Sequence, residues 1–139
     1  MKNKSKLILL IVAGVILTIN SCTKDSTSNP TVTDNRDALV GTYTDVETRG
    51  STNQTFNIVV SKSNADNTKI LVSNFNLAGS NVFTSMTVNS STSLTIPSQV
   101  VSGSTLAGSG TVNGNKINFT YTDNDGITTT NVTAVCTKQ

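Results

Sequence analysis

The sequence predicts an all-β domain, a small eight-stranded antiparallel up-and-down barrel set behind a signal peptide and a flexible polar tether. Three observations carry this. Apolar residues alternate with Ser, Thr or Asn in segment after segment, turn clusters recur at short and even spacing, and no 3.6-residue stripe lies between any two alternating segments. Without a helix to make a parallel crossover, neighbouring strands are hairpin-linked and antiparallel. An open antiparallel sandwich built from the same strands is the alternative, with the irregular run Pro97 to Gly103 as the place where a longer connection would cross between sheets.

Taken in order, the chain of 139 residues opens with three lysines in its first six positions and continues from Leu7 to Ile19 with nothing more polar than Thr18. That is the layout of a secretory signal, residues 1–21. As a helix the apolar run would reach roughly 20 Å against about 30 Å of bilayer hydrocarbon, too short for a lasting span. Cys22 stands at the border between this run and a polar one. Thr23 to about Arg36 reads TKDSTSNPTVTDNR, without apolar periodicity, so residues 22–37 form the tether, and residues 38–139 form one domain.

Within the domain, the first strand opens at Ala38-Leu39-Val40-Gly41-Thr42-Tyr43. Alternation then marks Phe56 to Val60, Val82 to Val88, Ser93 to Ile96 and Lys116 to Thr122. Turns are expected near Arg49-Gly50-Ser51, Asn64 to Asn67, Ala78-Gly79-Ser80, Asn89-Ser90-Ser91, Pro97 to Gly103, Asn113-Gly114-Asn115 and Asp123 to Gly126, which separate eight strands. Asn113-Gly114 and Asp125-Gly126 tolerate positive φ in tight hairpins, so the last three strands form a meander. The expected inward set is Tyr43, Phe56, Ile58, Val60, Val82, Met86, Leu94, Ile96, Leu106, Ile117, Phe119, Tyr121, Val132 and Ala134. These side chains suffice to fill a small eight-stranded barrel.

Two resemblances add to this reading. Ile19-Asn20-Ser21-Cys22, after its signal, resembles the bacterial lipoprotein lipobox. The resemblance implies cleavage before Cys22, a diacylglyceryl thioether on its sulfur, an amide-linked acyl chain of palmitate type on the new N-terminus, and residence in the cell envelope at the outer membrane, facing the periplasm or the cell surface. Two or three acyl chains make such attachment effectively permanent. An ordinary signal peptide cut near Ser21 is the other reading. Lys24-Asp25 partly resembles the surface-export signal of Bacteroidota lipoproteins, with Ser26 in place of a second acidic residue, and Asp25-Ser26-Thr27 fits the O-glycosylation pattern of that phylum, with Ser26 as acceptor. Gly41-Thr42-Tyr43 looks like the Gly-x-Trp opening of lipocalins and calycins, and Asn113 to Tyr121 looks like the late hairpin of small lipocalin-like lipoproteins of Bacteroidota. That likeness implies a barrel of lipocalin type.

Charge and chemistry narrow the function. Ten basic residues against eight acidic give +2, but three of the lysines lie in the signal. The mature part is close to neutral, so nucleic acid is not an expected partner. The chain contains no histidine, which removes Ser-His-Asp and Cys-His machinery and the commonest zinc ligand. Asp45 and Glu47 project from one strand face and read as solvated carboxylates. Asp123-x-Asp125-Gly126 starts like a calcium loop but lacks the twelfth-position glutamate, so it reads as a hairpin turn. The glycines of Ala107-Gly108-Ser109-Gly110 read as a bend or bulge. Cys136, unpaired once Cys22 is acylated, reads as a small apolar group buried in a strand, with a reactive or dimer-forming thiol as the other reading. No catalytic residue, metal or cofactor is expected. The function expected is a non-enzymatic interaction or structural module, partnered by an envelope protein, a host protein or a glycan. The alternative is a lipocalin-type carrier of a small apolar ligand, with Tyr43, Phe56, Phe119 and Tyr121 lining its mouth.

Overall fold

Period-two alternation requires each strand to bury one face, and eight strands satisfy this by closing on themselves. The computed structural model describes residues 33–139. Among them lie eight strands: β1 (Gly41–Arg49), β2 (Thr52–Lys62), β3 (Lys69–Ser73), β4 (Phe83–Ser90), β5 (Ser93–Val101), β6 (Ser104–Asn113), β7 (Lys116–Asn124) and β8 (Thr129–Lys138). Each pairs antiparallel with the next, and β8 returns to β1, so the sheet is a closed up-and-down barrel rather than a sandwich. The closing seam runs from Tyr43 opposite Lys138 to Arg49 opposite Val132. The residues before Thr33, on which the expected signal, lipidation at Cys22 and O-glycosylation at Ser26 fall, lie outside the described residues.

Every residue of the expected inward set faces the core, and Ile70 and Val72 of β3, with Leu39, Phe75 and Val101, add to it. Tyr43, Ile58, Val60, Met86, Leu94, Ile96, Leu106, Ile117, Phe119, Tyr121, Val132 and Ala134 are buried, while Phe56 and Val82 are half-buried against them. Cys136 is fully buried in β8. Outward rows carry Thr44 and Thr48 on β1, Asn118 and Thr120 on β7, and Asn131 and Thr133 on β8. The β6–β7 and β7–β8 hairpins turn at Gly114 (φ +59°) and Gly126 (φ +89°), where a side chain would be strained. In the latter, Asp125 Oδ1 accepts from the backbone N–H groups of Ile127 and Thr128 at 2.8 and 2.7 Å.

One expectation is corrected and a second is met in part. Pro97 to Val101 is not an irregular connection but the second half of β5. The register shifts between Ile96 and Gln99, and the turn is confined to Ser102-Gly103. There the Gln99 amide stands in for a ladder rung, donating through Nε2 to the Ser85 carbonyl at 2.7 Å and accepting from the Ser85 N–H at 2.9 Å. Strand pairing is thereby continued by a side chain where proline removes a backbone donor.

Gly108 stands at a bulge, as the last β6 residue paired with β5, opposite Ile96, before that register shift, whereas Gly110 pairs regularly with Leu94. On the β7 side both glycines lie in register opposite Tyr121 and Phe119, in unbroken pairing. A Cβ at Gly108 would stand 2.3 Å from the Thr120 carbonyl oxygen and 2.5 Å from Tyr121 Cβ, and one at Gly110 would stand 2.6 Å from the Phe119 ring. The two glycines are the space into which the aromatic side chains fit. Gly108→Ala is therefore expected to cost about 3 kcal/mol, the upper part of the usual overpacking range, because its nearest neighbour is backbone. Urea unfolding reads this directly, and an unchanged midpoint would show that β6 and β7 can part at no cost.

Ahead of β1, residues from Asp34 to Leu39 form a turn held on the barrel wall. Arg36 is buried. Its Nε and Nη2 engage the Asp34 carboxylate at 2.8 to 3.1 Å, and its Nη1 donates to the carbonyls of Ser63, Asp66 and Lys69. Lys62 adds ion pairs to Asp34 and Asp37. Leu39 is buried beneath, with its carbonyl accepting from the Tyr43 hydroxyl at 2.8 Å.

Between β3 and β4, a 3-10 turn (Phe75–Leu77) inserts a ring into the core. Phe75 is fully buried, edge-on to Phe119 with centroids 5.2 Å apart and tilted against Tyr121 at 4.9 Å. Asn74, Asn76 and Leu77 all have left-handed backbones, φ 58°, 59° and 54°. For leucine in particular this is an unfavourable conformation, held in place by the buried ring and by the hydrogen bonds of Asn76.

Candidate functional site

Strand β1 turns four consecutive odd-numbered residues toward the barrel interior: Tyr43, Asp45, Glu47 and Arg49. Asp45 and Glu47 are thus not solvated; they are 0% and 1% exposed, level with the apolar core. The signal was present in the sequence, since both share the face of Tyr43, and period two alone puts them inside.

Glu47 and Arg49 anchor a polar cluster at the end of the barrel that Phe75 occupies. Arg49 donates from Nε to Glu47 Oε1 at 2.6 Å and from Nη1 to Asp123 Oδ2 at 2.7 Å. The Tyr121 hydroxyl donates to the other Glu47 oxygen at 2.5 Å, and Asn76 Nδ2 donates to Asp123 Oδ2 at 3.2 Å. Asp123 belongs to β7, on the face of Tyr121; the loop that follows is built by Asp125. Burial pushes the Tyr121 phenol well above its ordinary value, and the adjoining Glu47 carboxylate pushes it further. At Asp123 burial acts upward, but hydrogen bonds from Arg49 and its neighbours prevail and hold the carboxyl below its ordinary value. Arg49 is raised by both carboxylates against the opposing effect of burial.

Asp45 differs from its neighbours. Neither carboxylate oxygen has a hydrogen-bond partner among the described residues. Burial pushes its carboxyl up to about 6; the weakly polar Cys136 thiol, opposite on β8, offsets part of this, and Glu47 adds to it. Cys136 is itself raised far above the ordinary thiol value, by burial first and then by Asp45. Such a thiol is not a nucleophile at neutral pH.

The four aromatic residues expected to line a ligand mouth all turn inward, but they do not meet at one mouth. Tyr121 is level with Arg49 through their shared partner Val132. Six residues along β1, roughly 20 Å away, Tyr43 closes the opposite end beneath Leu39. Phe119 packs on Phe75, and Phe56 is half-buried beside Asp45. On the outer wall, Val40, Leu71 and Phe83 line an open groove flanked by Asp37 and Lys62, which are ion-paired to each other.

Chemically, the interior cluster is a closed clamp. Its guanidinium is spent on two carboxylates, its phenol on a third contact, and Glu47 is out of reach of solvent. Sequence reasoning missed Asn76 and Phe75 because a three-residue turn carries no periodic signal.

No family model matches the chain, and no curated protein matches it. Among solved structures it is similar to a crystal structure from Bacteroides fragilis described as an outer membrane protein, with 16% sequence identity over 76% of this chain and 53% of that one, and a TM-score of 0.44. The chain spans about half the length of that structure.

Proposed function

We propose that this protein is a lipid-anchored envelope component, fixed at the outer membrane through acylated Cys22, whose barrel is a non-enzymatic interaction or structural module for an envelope protein, a host protein or a glycan. The observation that carries the reading is the polarity of the barrel. Membrane-spanning barrels are apolar outside and polar within. This one packs Ile58, Leu94, Leu106 and Ile117 inside and presents threonine and asparagine rows outside. A wall of that kind sits in water, so attachment to a membrane falls to a group outside the barrel, and the lipobox-like Ile19-Asn20-Ser21-Cys22 supplies one.

The side chains that fill the interior favour a module over a carrier. Phe75, Phe119 and Tyr121 occupy the volume that a ligand of a lipocalin-type carrier would take. Near-neutral charge in the mature part favours protein or glycan partners over nucleic acid.

Mass analysis of the Cys22 peptide from cells making the native protein tests the anchor, and protease shaving of intact cells with a periplasmic control tests the side it faces. Acylated Cys22 is expected. With it, loss of the domain on shaving directs the search to host proteins and glycans, and protection directs it to partners in the periplasm. An unmodified Cys22 overturns the proposal.

A further inference from the structure

Within the barrel, Glu47 is paired with Arg49 and Tyr121, and Asp123 with Arg49 and Asn76. Asp45, two residues before Glu47 on the same inward face, is fully buried; among the described residues neither oxygen has a partner within hydrogen-bond geometry, and the only donor facing it is the weak one of the Cys136 thiol. Around it stand Tyr43 and Glu47 on β1, Phe56 on β2, Tyr121 on β7 and the Cys136 thiol on β8. None of these is a cation, and the Arg49 guanidinium is already held by two other carboxylates. A buried carboxylate so placed is far costlier than the neutral acid. Its position is also particular: it lies inside the β1–β8 seam that closes the barrel, in register with Cys136.

We propose that Asp45 is a proton-operated latch on this seam: the barrel is firmly closed while the carboxyl is protonated, and the β1–β8 pairing loosens when the proton leaves. In the closed barrel the proton is held up to a pH of about 6, against an ordinary value of 3.8 in the opened chain. The folded value is the higher one. The seam is therefore at full strength below about pH 4 and weakens as pH rises through 6. The Asp34 and Asp66 carboxyls at the N-terminal turn, held below their ordinary values by hydrogen bonds to Arg36 and Thr68 respectively, act in the opposite sense and in a more acid window.

The test is amide hydrogen exchange of the full chain in detergent micelles at pH 5 and pH 7.5, corrected for intrinsic exchange. Peptides from β1 and β8 are expected to lose about tenfold in protection over this interval, the ratio that linkage gives for the two values, with β5–β6 peptides unchanged. In Asp45→Asn the seam should be equally protected at both pH values. A seam in the natural chain that is indifferent to pH, or an Asp45→Asn seam that keeps the wild-type loss, overturns the proposal. Independently of any variant, the Asp45 carboxyl carbon resonance should titrate with a midpoint near 6; a midpoint below about 4.5 would equally overturn it.

Discussion

Replacing Arg49 with methionine is expected to lower the unfolding free energy at pH 7 by about 3–5 kcal/mol, because it leaves Glu47 as an uncompensated charge in the barrel interior. Arg49 is the only cation in the cluster among the described residues, and it bridges two strands that are not neighbours: its own β1 carries Glu47, while Asp123 comes from β7. Water reaches the guanidinium, 24% exposed, but the Glu47 side chain not at all. The penalty therefore falls on the carboxylate rather than on the lost contact. Arg49→Lys keeps the charge but cannot reach in two directions at once, and should recover only part of the loss. Adding Glu47→Gln to Arg49→Met should also restore part, since a neutral amide needs no counter-charge. Urea unfolding of the three variants gives the values, and a loss under about 1 kcal/mol in Arg49→Met would show that Glu47 is relieved some other way.

Phe75→Ala is the second large effect, expected to cost about 3–4 kcal/mol, the lower part of the range for emptying a buried aromatic site. The lower part applies because the ring holds Asn74, Asn76 and Leu77 in left-handed backbone conformations. Without it the turn is free to relax, and the strain released offsets some of the lost packing. The readout is again the urea midpoint, with near-ultraviolet circular dichroism reporting the altered surroundings of Tyr121. A cost near zero would mean that Phe75 is not inserted between Phe119 and Tyr121 in solution.

How far the sequence revealed these features follows from the kind of signal each one leaves. Strand number, the hairpins at Asn113-Gly114 and Asp125-Gly126 and the apolar rows were legible, because period-two alternation and positive-φ dipeptides are local properties. Asp45 and Glu47 were misplaced because their charge was weighed above their register with Tyr43. The packing role of Gly108 and Gly110 was illegible because the residues that need the space, Tyr121 and Phe119, are across the sheet and become visible only with the register. Pro97 broke the apparent pattern of β5, while its remedy, the Gln99 amide reaching Ser85 on β4, is again a cross-strand contact. The clamp formed by Glu47, Arg49, Asn76, Tyr121 and Asp123 was illegible for the same reason: its members come from three separate parts of the chain.

The Arg36 staple has a mechanical consequence. A pull arriving from the N-terminal side meets Asp34 and Arg36 before it meets the first rung of β1 at Gly41. From Arg36 the load divides among the carbonyls of Ser63, Asp66 and Lys69, which belong to the connection between β2 and β3 and to the start of β3. Traction is thus shared with the barrel wall before it bears on β1 alone, the strand that also carries Asp45 and the closing seam. The guanidinium acts as a strain relief, as a cable clamp protects the joint behind it.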